Sequence, residues 1–214
     1  MSTGPEDLAR LVRATGVRDA RVLEAVASVP RADFVPAGAK RVAYRDEPIP
    51  IPCGQVTTQP SLVARMLEAL ELEGHEHVLE IGTGYGYQTA LLARLAAEVT
   101  SLERLAELAG VARRNLEHDR AANVELLVAD GSAGLGARAP FDAIVVSAAF
   151  TSVPRPLALQ LVPGGRLVQP IGSGGHDVVV LFERAAAGLV RRRSVTPAHF
   201  VRLYGAHGFD ADER

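Results

Sequence analysis

The sequence predicts an α/β fold: a doubly wound, mostly parallel sheet with an antiparallel C-terminal edge and an N-terminal helical extension. Three observations carry this. From His77 onward, short apolar runs alternate with stretches of helical periodicity, the pattern of parallel strands joined by right-handed crossover helices. The first run, Val78-Leu79-Glu80-Ile81, breaks into three alternating glycines, Gly82, Gly84 and Gly86, before a helix. The last third then turns β-rich, with Val178-Val179-Val180-Leu181-Phe182, and an antiparallel edge on a parallel sheet is common.

The elements follow in order. Leu8, Leu11 and Val12, then Val22, Leu23, Ala25, Val26 and Val29, mark two amphipathic helices closed by Pro30. Residues 31–60 are rich in proline, which forbids a helix or a central strand there. A long irregular stretch inside a compact domain is usually functional. A helix starts near Pro60, with Leu62, Val63, Met66, Leu67 and Leu70 as its buried stripe. Strands are expected at 77–81, 98–102, 124–128, 141–146 and 166–169, and helices at 88–97, 104–118, 132–137 and 154–162. After the run at 177–183, residues 189–195 and 200–204 read as one bent returning strand. Residues 1–60 thus form a helical and loop-rich cover, and 61–214 the core, in a single compact domain.

Composition bounds the function. The 214 residues hold 48% hydrophobic side chains, enough for one sizeable core, and the formal net charge is -2. That balance offers no bulk attraction to nucleic acid or an anionic membrane. The only basic run, Arg191-Arg192-Arg193, reads as an exposed strand or turn. One cysteine, Cys53, excludes an internal disulfide and a multi-cysteine metal site. No apolar signal region opens the chain and no stretch approaches a membrane span. A soluble, cytoplasmic, monomeric protein is expected. His75, His77 and His118 read as surface positions, and His199 as a neighbour of the proline-rich loop.

Strand, glycines and helix in succession make a nucleotide-binding turn, because glycine lets a ligand approach the main chain. The dinucleotide fingerprint would need a third glycine at position 87, which is Tyr87. The pattern is instead acidic-x-Gly-x-Gly-x-Gly, from Glu80 to Gly86, and resembles the S-adenosylmethionine turn of class I methyltransferases. Glu103 ends the second strand, where an acid can accept hydrogen bonds from both ribose hydroxyls. Ligands on such sheets bind beyond the carboxyl ends of the strands. Gly82, Glu103, Asp130 and Ser147 all fall there, so one cleft is expected to collect them.

Further blocks fit one family. They are Val29-Pro30-Arg31 with Phe34-Val35-Pro36, Tyr44-Arg45-Asp46 with Gly54-Gln55-Val56-Thr57-Thr58-Gln59-Pro60, and Ala129-Asp130-Gly131. With the glycine turn they resemble protein-L-isoaspartate O-methyltransferases, over about residues 7–209. The resemblance implies a Rossmann-like methyltransferase fold. It also implies methyl transfer from S-adenosylmethionine, without a metal, to the α-carboxylate of L-isoaspartyl residues in damaged proteins and peptides.

The resemblance also assigns roles. Thr58 matches the loop serine near the substrate carboxylate; its other reading is a helix cap, and Thr57 competes for its role or contacts the cofactor. Glu80, Gly82, Thr83, Gly84, Gly86, Gln88, Glu103 and Ser147 are expected around the cofactor. Glu80 would face its cationic amino-acid end. Asp130 and Gly131 match an adenine-contacting pair, with an N-cap as the other reading of Asp130. Ala148, Ala149 and Phe150 match a segment whose backbone meets the peptide, and Val201 and Arg202 match the closing edge that holds the substrate main chain. Phe150 replaces a small residue, and Arg202 stands where proline is expected. These two departures leave open a dedicated peptide or small-molecule acceptor.

Overall fold

The computed structural model describes residues 4–210; Met1 to Thr3, part of the stretch read as lacking a signal, lie outside them. Two helices come first, α1 (Pro5–Ala14) and α2 (Ala20–Ser28). Asp19 caps α2 by accepting from the backbone N–H groups of Arg21 and Val22. Two short 3₁₀ turns, Arg31–Phe34 and Ala37–Val42, lead to a small hairpin, β1 (Ile49–Ile51) and β2 (Gln55–Thr57). The proline-rich segment therefore folds, but outside the main sheet. Helix α3 (Pro60–Leu70) follows, with Pro60 at its first position.

The core alternates β3 (His77–Ile81), α4 (Tyr87–Leu95), β4 (Glu98–Glu103), α5 (Ala106–Asp119), β5 (Val124–Val128) and β6 (Phe141–Val146). Then come α6 (Arg155–Leu159), β7 (Leu161–Ile171), β8 (Asp177–Ala185) and β9 (Gly188–Ala198). The sheet order is β5-β4-β3-β6-β7-β8-β9, parallel as far as β7 and antiparallel beyond it. The chain winds outward from β3 in one direction, then returns to its other side with β6. The switch between β3 and β6 is where such sheets bind ligands.

Alternation along the strands builds two cores. Val78, Val99 and Val145 pack under α1 to α4, whereas Leu79, Ile81, Leu102 and Ile144 pack on the opposite face with Leu157 and Leu203. The N-terminal helices thus share their core with α3, α4 and the sheet.

Some boundaries differ from expectation. The helix expected to 162 ends at Leu159, and the strand expected from 166 begins at Leu161. The pairing jumps from Phe141↔Leu161 to Ala143↔Arg166, so Val162-Pro163-Gly164-Gly165 bulges out where Pro163 has no N–H to give. The helix expected at 132–137 is a single 3₁₀ turn, Gly131–Ala133, stopped by Gly134 at φ 64°. Residues 200–204 do not continue β9: Phe200 N–H donates to the buried Asp177 carboxylate at 3.0 Å, and Arg202 bridges Ala149 instead. His77 is half-buried within β3, its ring 4.6 Å from that of Phe141 and its Nε2 3.0 Å from Thr100 Oγ1. At the outer edge, β9 presents Arg191, Arg192 and Arg193 to solvent, and its pairing with β8 shifts register twice.

Candidate functional site

At the switch point Gly82, Gly84 and Gly86 all take positive φ, at 94°, 57° and 94°, which L side chains rarely adopt. Gly82 N–H donates to Leu102 O and Ser147 N–H to Ile81 O, each at 2.9 Å, tying the turn between β4 and β6. The cleft above it is lined by the turn, Gln88, Glu103, Gly131, Ser147 and Ala148, and by Thr57, Thr58, Val201 and Arg202 from above.

Glu80 does not line this cleft. It is fully buried, with Oε2 accepting from Thr89 Oγ1 at 2.5 Å and Ser101 Oγ at 2.6 Å, and Oε1 accepting from Gln88 Nε2 at 3.0 Å. Burial raises its pKa, against the pull of those three donors. The expected contact with the cofactor's amino-acid end is corrected: Glu80 anchors side chains beneath the floor. Gln88 Nε2 also donates to Ser147 Oγ at 3.0 Å, while Gln88 Oε1 is buried and has no hydrogen-bond partner among the described residues. An orphaned acceptor on a cleft-lining side chain fits an incoming N–H donor, such as a ligand ammonium.

Glu103 lies at the end of β4, nearly buried. Its two oxygens accept from Gly84 N–H at 2.9 Å and Leu105 N–H at 3.0 Å. Each keeps a lone pair for a ligand hydroxyl. Asp130 takes its other reading. Its Oδ1 accepts from Ser132 N–H and Oγ, its Oδ2 from Ala206 N–H at 2.7 Å, and it does not line the cleft. Burial would raise its pKa, but these hydrogen bonds hold it below the usual carboxylate range. Asp130 thus caps the 3₁₀ turn and clasps the C-terminal segment. Gly131 does face the cleft, and a Cβ there would meet Ile81 Cγ2 at 2.3 Å.

The roof comes from distant segments. Arg31, fully buried, donates from Nη1 to the carbonyls of Ala43 and Arg45, and from Nη2 to Glu47 O, Thr57 Oγ1 and Thr58 O, at 2.9–3.2 Å. Its guanidinium lies 5.8 Å from the Tyr87 ring centroid, and burial lowers its pKa to about 10. Asp46 accepts from Ser61 N–H at 2.8 Å and Gln59 Nε2 at 2.9 Å. That occupies the start of α3, so Thr58 does not cap the helix. Sequence reasoning gave no role to Arg31 or Asp46; both lay inside the blocks quoted for the resemblance.

A second cavity adjoins the first. It is reached by Arg65 and His199, and shares Val56, Thr58, Ser147 and Val201 with the cleft. The expected peptide-facing segment is only partly available. Ala149 N–H and C=O bond to Val201 O and Leu203 N–H at 2.8 Å, and Phe150 bonds to Pro170 O and Gly172 N–H. Ala149 and Phe150 line neither cavity, whereas Ala148 lines the cleft. Phe150 instead stands edge-on to Phe209 at 5.0 Å, and Arg202 lies 5.0 Å from the same ring while its Nε donates to Ser173 O. The two departures from the family pattern therefore meet in one packing cluster.

Comparisons with known proteins show the family. The family model described as protein-L-isoaspartate(D-aspartate) O-methyltransferase matches residues 4–208. The chain belongs to this family. A protein-L-isoaspartate O-methyltransferase from Koribacter versatilis is 46% identical over 207 residues, covering 95% of this chain and 93% of its own. One from Anaeromyxobacter dehalogenans strain 2CP-C is 50% identical, covering 92% and 95%. A solved protein-L-isoaspartate O-methyltransferase superposes with a TM-score of 0.84 at 28% identity, covering 95% of this chain and 67% of that one. A Plasmodium falciparum structure, solved in complex with S-adenosyl-L-homocysteine, shares the fold with a TM-score of 0.82 at 21% identity, covering 95% and 99%. Among the described residues no group of three or more His, Cys, Asp or Glu is arranged to hold a metal ion, and no helix is long and apolar enough to cross a membrane.

Proposed function

We propose that this chain uses S-adenosylmethionine to methylate the α-carboxylate of L-isoaspartyl residues in damaged proteins and peptides. The observation that carries the reading is the pair of adjoining cavities, one ending on the glycine turn, with Thr58 at their shared wall. When bound, the cofactor supplies an electrophilic methyl group on a sulfonium. The turn from Gly82 to Gly86 would take its amino-acid end with the free Oε1 of Gln88, Glu103 its ribose, and Gly131 the base. Thr83 is held by Ser101 Oγ at 2.6 Å and shapes the turn.

The acceptor needs no base. A carboxylate with a pKa near ~3.9 is already ionised at neutral pH, so the residues around it have to align it and exclude water. Thr58 makes no side-chain hydrogen bond recorded among the described residues and presents its hydroxyl at the junction, where it donates to the carboxylate. Monomeric and cytoplasmic action, without nucleic acid or membrane, goes with this reading. The reading of a dedicated acceptor is weakened, because Phe150 and Arg202 pack on Phe209 and neither lines the second cavity, although Arg202 also borders the cleft.

The test is transfer of label from S-adenosylmethionine to one peptide made in isoaspartyl and aspartyl forms. Labelling of the isoaspartyl form alone is expected; equal labelling, or none, overturns the acceptor. Thr58→Val should raise the acceptor KM roughly tenfold, and an unchanged KM removes the role given to Thr58.

A further inference from the structure

We propose that Ser147 is a second acceptor-binding residue, donating its hydroxyl proton to the methyl-accepting carboxylate, and that Glu80 and Gln88 are the positioning residues that aim it. The assignment rests on the acceptor reading above. It starts from place: Ser147 directly follows β6 and lines both cavities, as Thr58 does from the roof. Its backbone is fixed, since its N–H donates to Ile81 O at 2.9 Å.

Hydrogen-bond direction does the rest. The two protons on Gln88 Nε2 go to Glu80 Oε1 and Ser147 Oγ, both at 3.0 Å. Ser147 Oγ is therefore an acceptor toward Gln88, and its own proton has no acceptor recorded among the described residues. Glu80 cannot turn away to release Gln88, because Thr89 and Ser101 hold its other oxygen at 2.5 and 2.6 Å. The buried acid of the glycine turn thus sets the amide, the amide sets the hydroxyl, and the proton is left for the cavity. A carboxylate seated at the junction meets one hydroxyl from the floor and one from the roof.

In the reaction a carboxylate oxygen forms a bond to the methyl carbon, the carbon–sulfur bond breaks with its electron pair going to sulfur, and no proton moves. The acceptor loses its charge on becoming an ester. A donor to that oxygen pair therefore holds the anionic reactant more tightly than the neutral product, and its loss falls on acceptor binding more than on turnover.

The experiment measures peptide Kd by calorimetry on enzyme loaded with S-adenosylhomocysteine, with KM and kcat on the same isoaspartyl peptide. Ser147→Ala should weaken peptide binding roughly tenfold, while kcat stays within about threefold. Ser147→Thr, which keeps the hydroxyl, should stay within about twofold of the parent. Gln88→Leu should weaken the peptide in the parent and add nothing in the Ser147→Ala background, a non-additivity that a merely structural glutamine would not give. Unchanged peptide affinity in Ser147→Ala overturns the assignment, as does a loss confined to S-adenosylhomocysteine binding. A parent that binds S-adenosylhomocysteine and neither binds nor labels the isoaspartyl peptide overturns the acceptor reading itself.

Discussion

The floor and the roof of the cleft are built in different ways. The floor is local: Glu80, Thr83, Gln88, Thr89, Ser101 and Glu103 bond to one another or to the turn across β3, α4 and β4. The roof is assembled from afar and rests on single side chains, Arg31 and Asp177 buried, Asp46 and Asp130 half-buried. Arg31 holds the stretch from Ala43 to Thr58, Asp46 holds the start of α3, and Asp177 and Asp130 hold the two ends of the segment from Phe200 to Ala206. A shared network spreads the loss of one member, whereas a lone pin concentrates it. Cofactor affinity should therefore follow the floor, and acceptor affinity the roof.

The sharpest break is at Arg31. Arg31→Met strands four backbone carbonyls and Thr57, so chemical denaturation should show a loss of about 3 kcal/mol. At permissive temperature the acceptor KM should suffer far more than S-adenosylhomocysteine binding. Gly131→Ala attacks the other half: the new methyl drives into Ile81, costing about 2 kcal/mol in the melt and loosening cofactor while peptide affinity on the loaded enzyme holds. Smaller still is Glu103→Ala, which should raise the cofactor Kd about tenfold with under about 1 kcal/mol of stability lost. If calorimetry finds both ligands weakened alike in all three, floor and roof are not separable.

The mildest probe is pH. Asp130 is held below the usual carboxylate range in the folded chain. Its contribution is therefore present above the unfolded value near ~3.9 and is lost as pH falls through the lower, folded value. Hydrogen exchange at the amides of Ala206 and Ser132 should accelerate in that acid window, before the amides of Gly82 and Gly84 do.

The same contrast explains what the sequence revealed. The strands from 77 to 146 and the glycine turn were legible because periodicity and turn chemistry act over a few residues. Glu80 was misread because acidic-x-Gly names a residue type and not a direction. Its direction was present in the alternation: Glu80 shares a face with Val78, which packs under the helices, and pairs in register with Ser101. Polar Gln88 and Thr89, buried at the start of α4, were the matching signal. Arg31 left no such trace, because four of its five acceptors are carbonyls, which every residue carries. Phe200 had its partner, Asp177, many residues away, and local propensity assigned it to a strand, while the resemblance to the family said nothing of the clasp between Asp130 and Ala206. Phe150 and Arg202 looked like two separate anomalies until Phe209 came between them.

The outer strand β9 has a consequence for the company this protein keeps. A sheet edge is an open template for any extended chain, and the proposed substrates are damaged proteins, in which such chains abound. Here the edge carries three exposed arginines, a proline at position 197 with no amide to offer, and two breaks in register. Repulsion, a missing donor and local twist all work against a fourth antiparallel partner. The molecule can thus hold an extended peptide at its cleft while declining to be zipped to one at its rim.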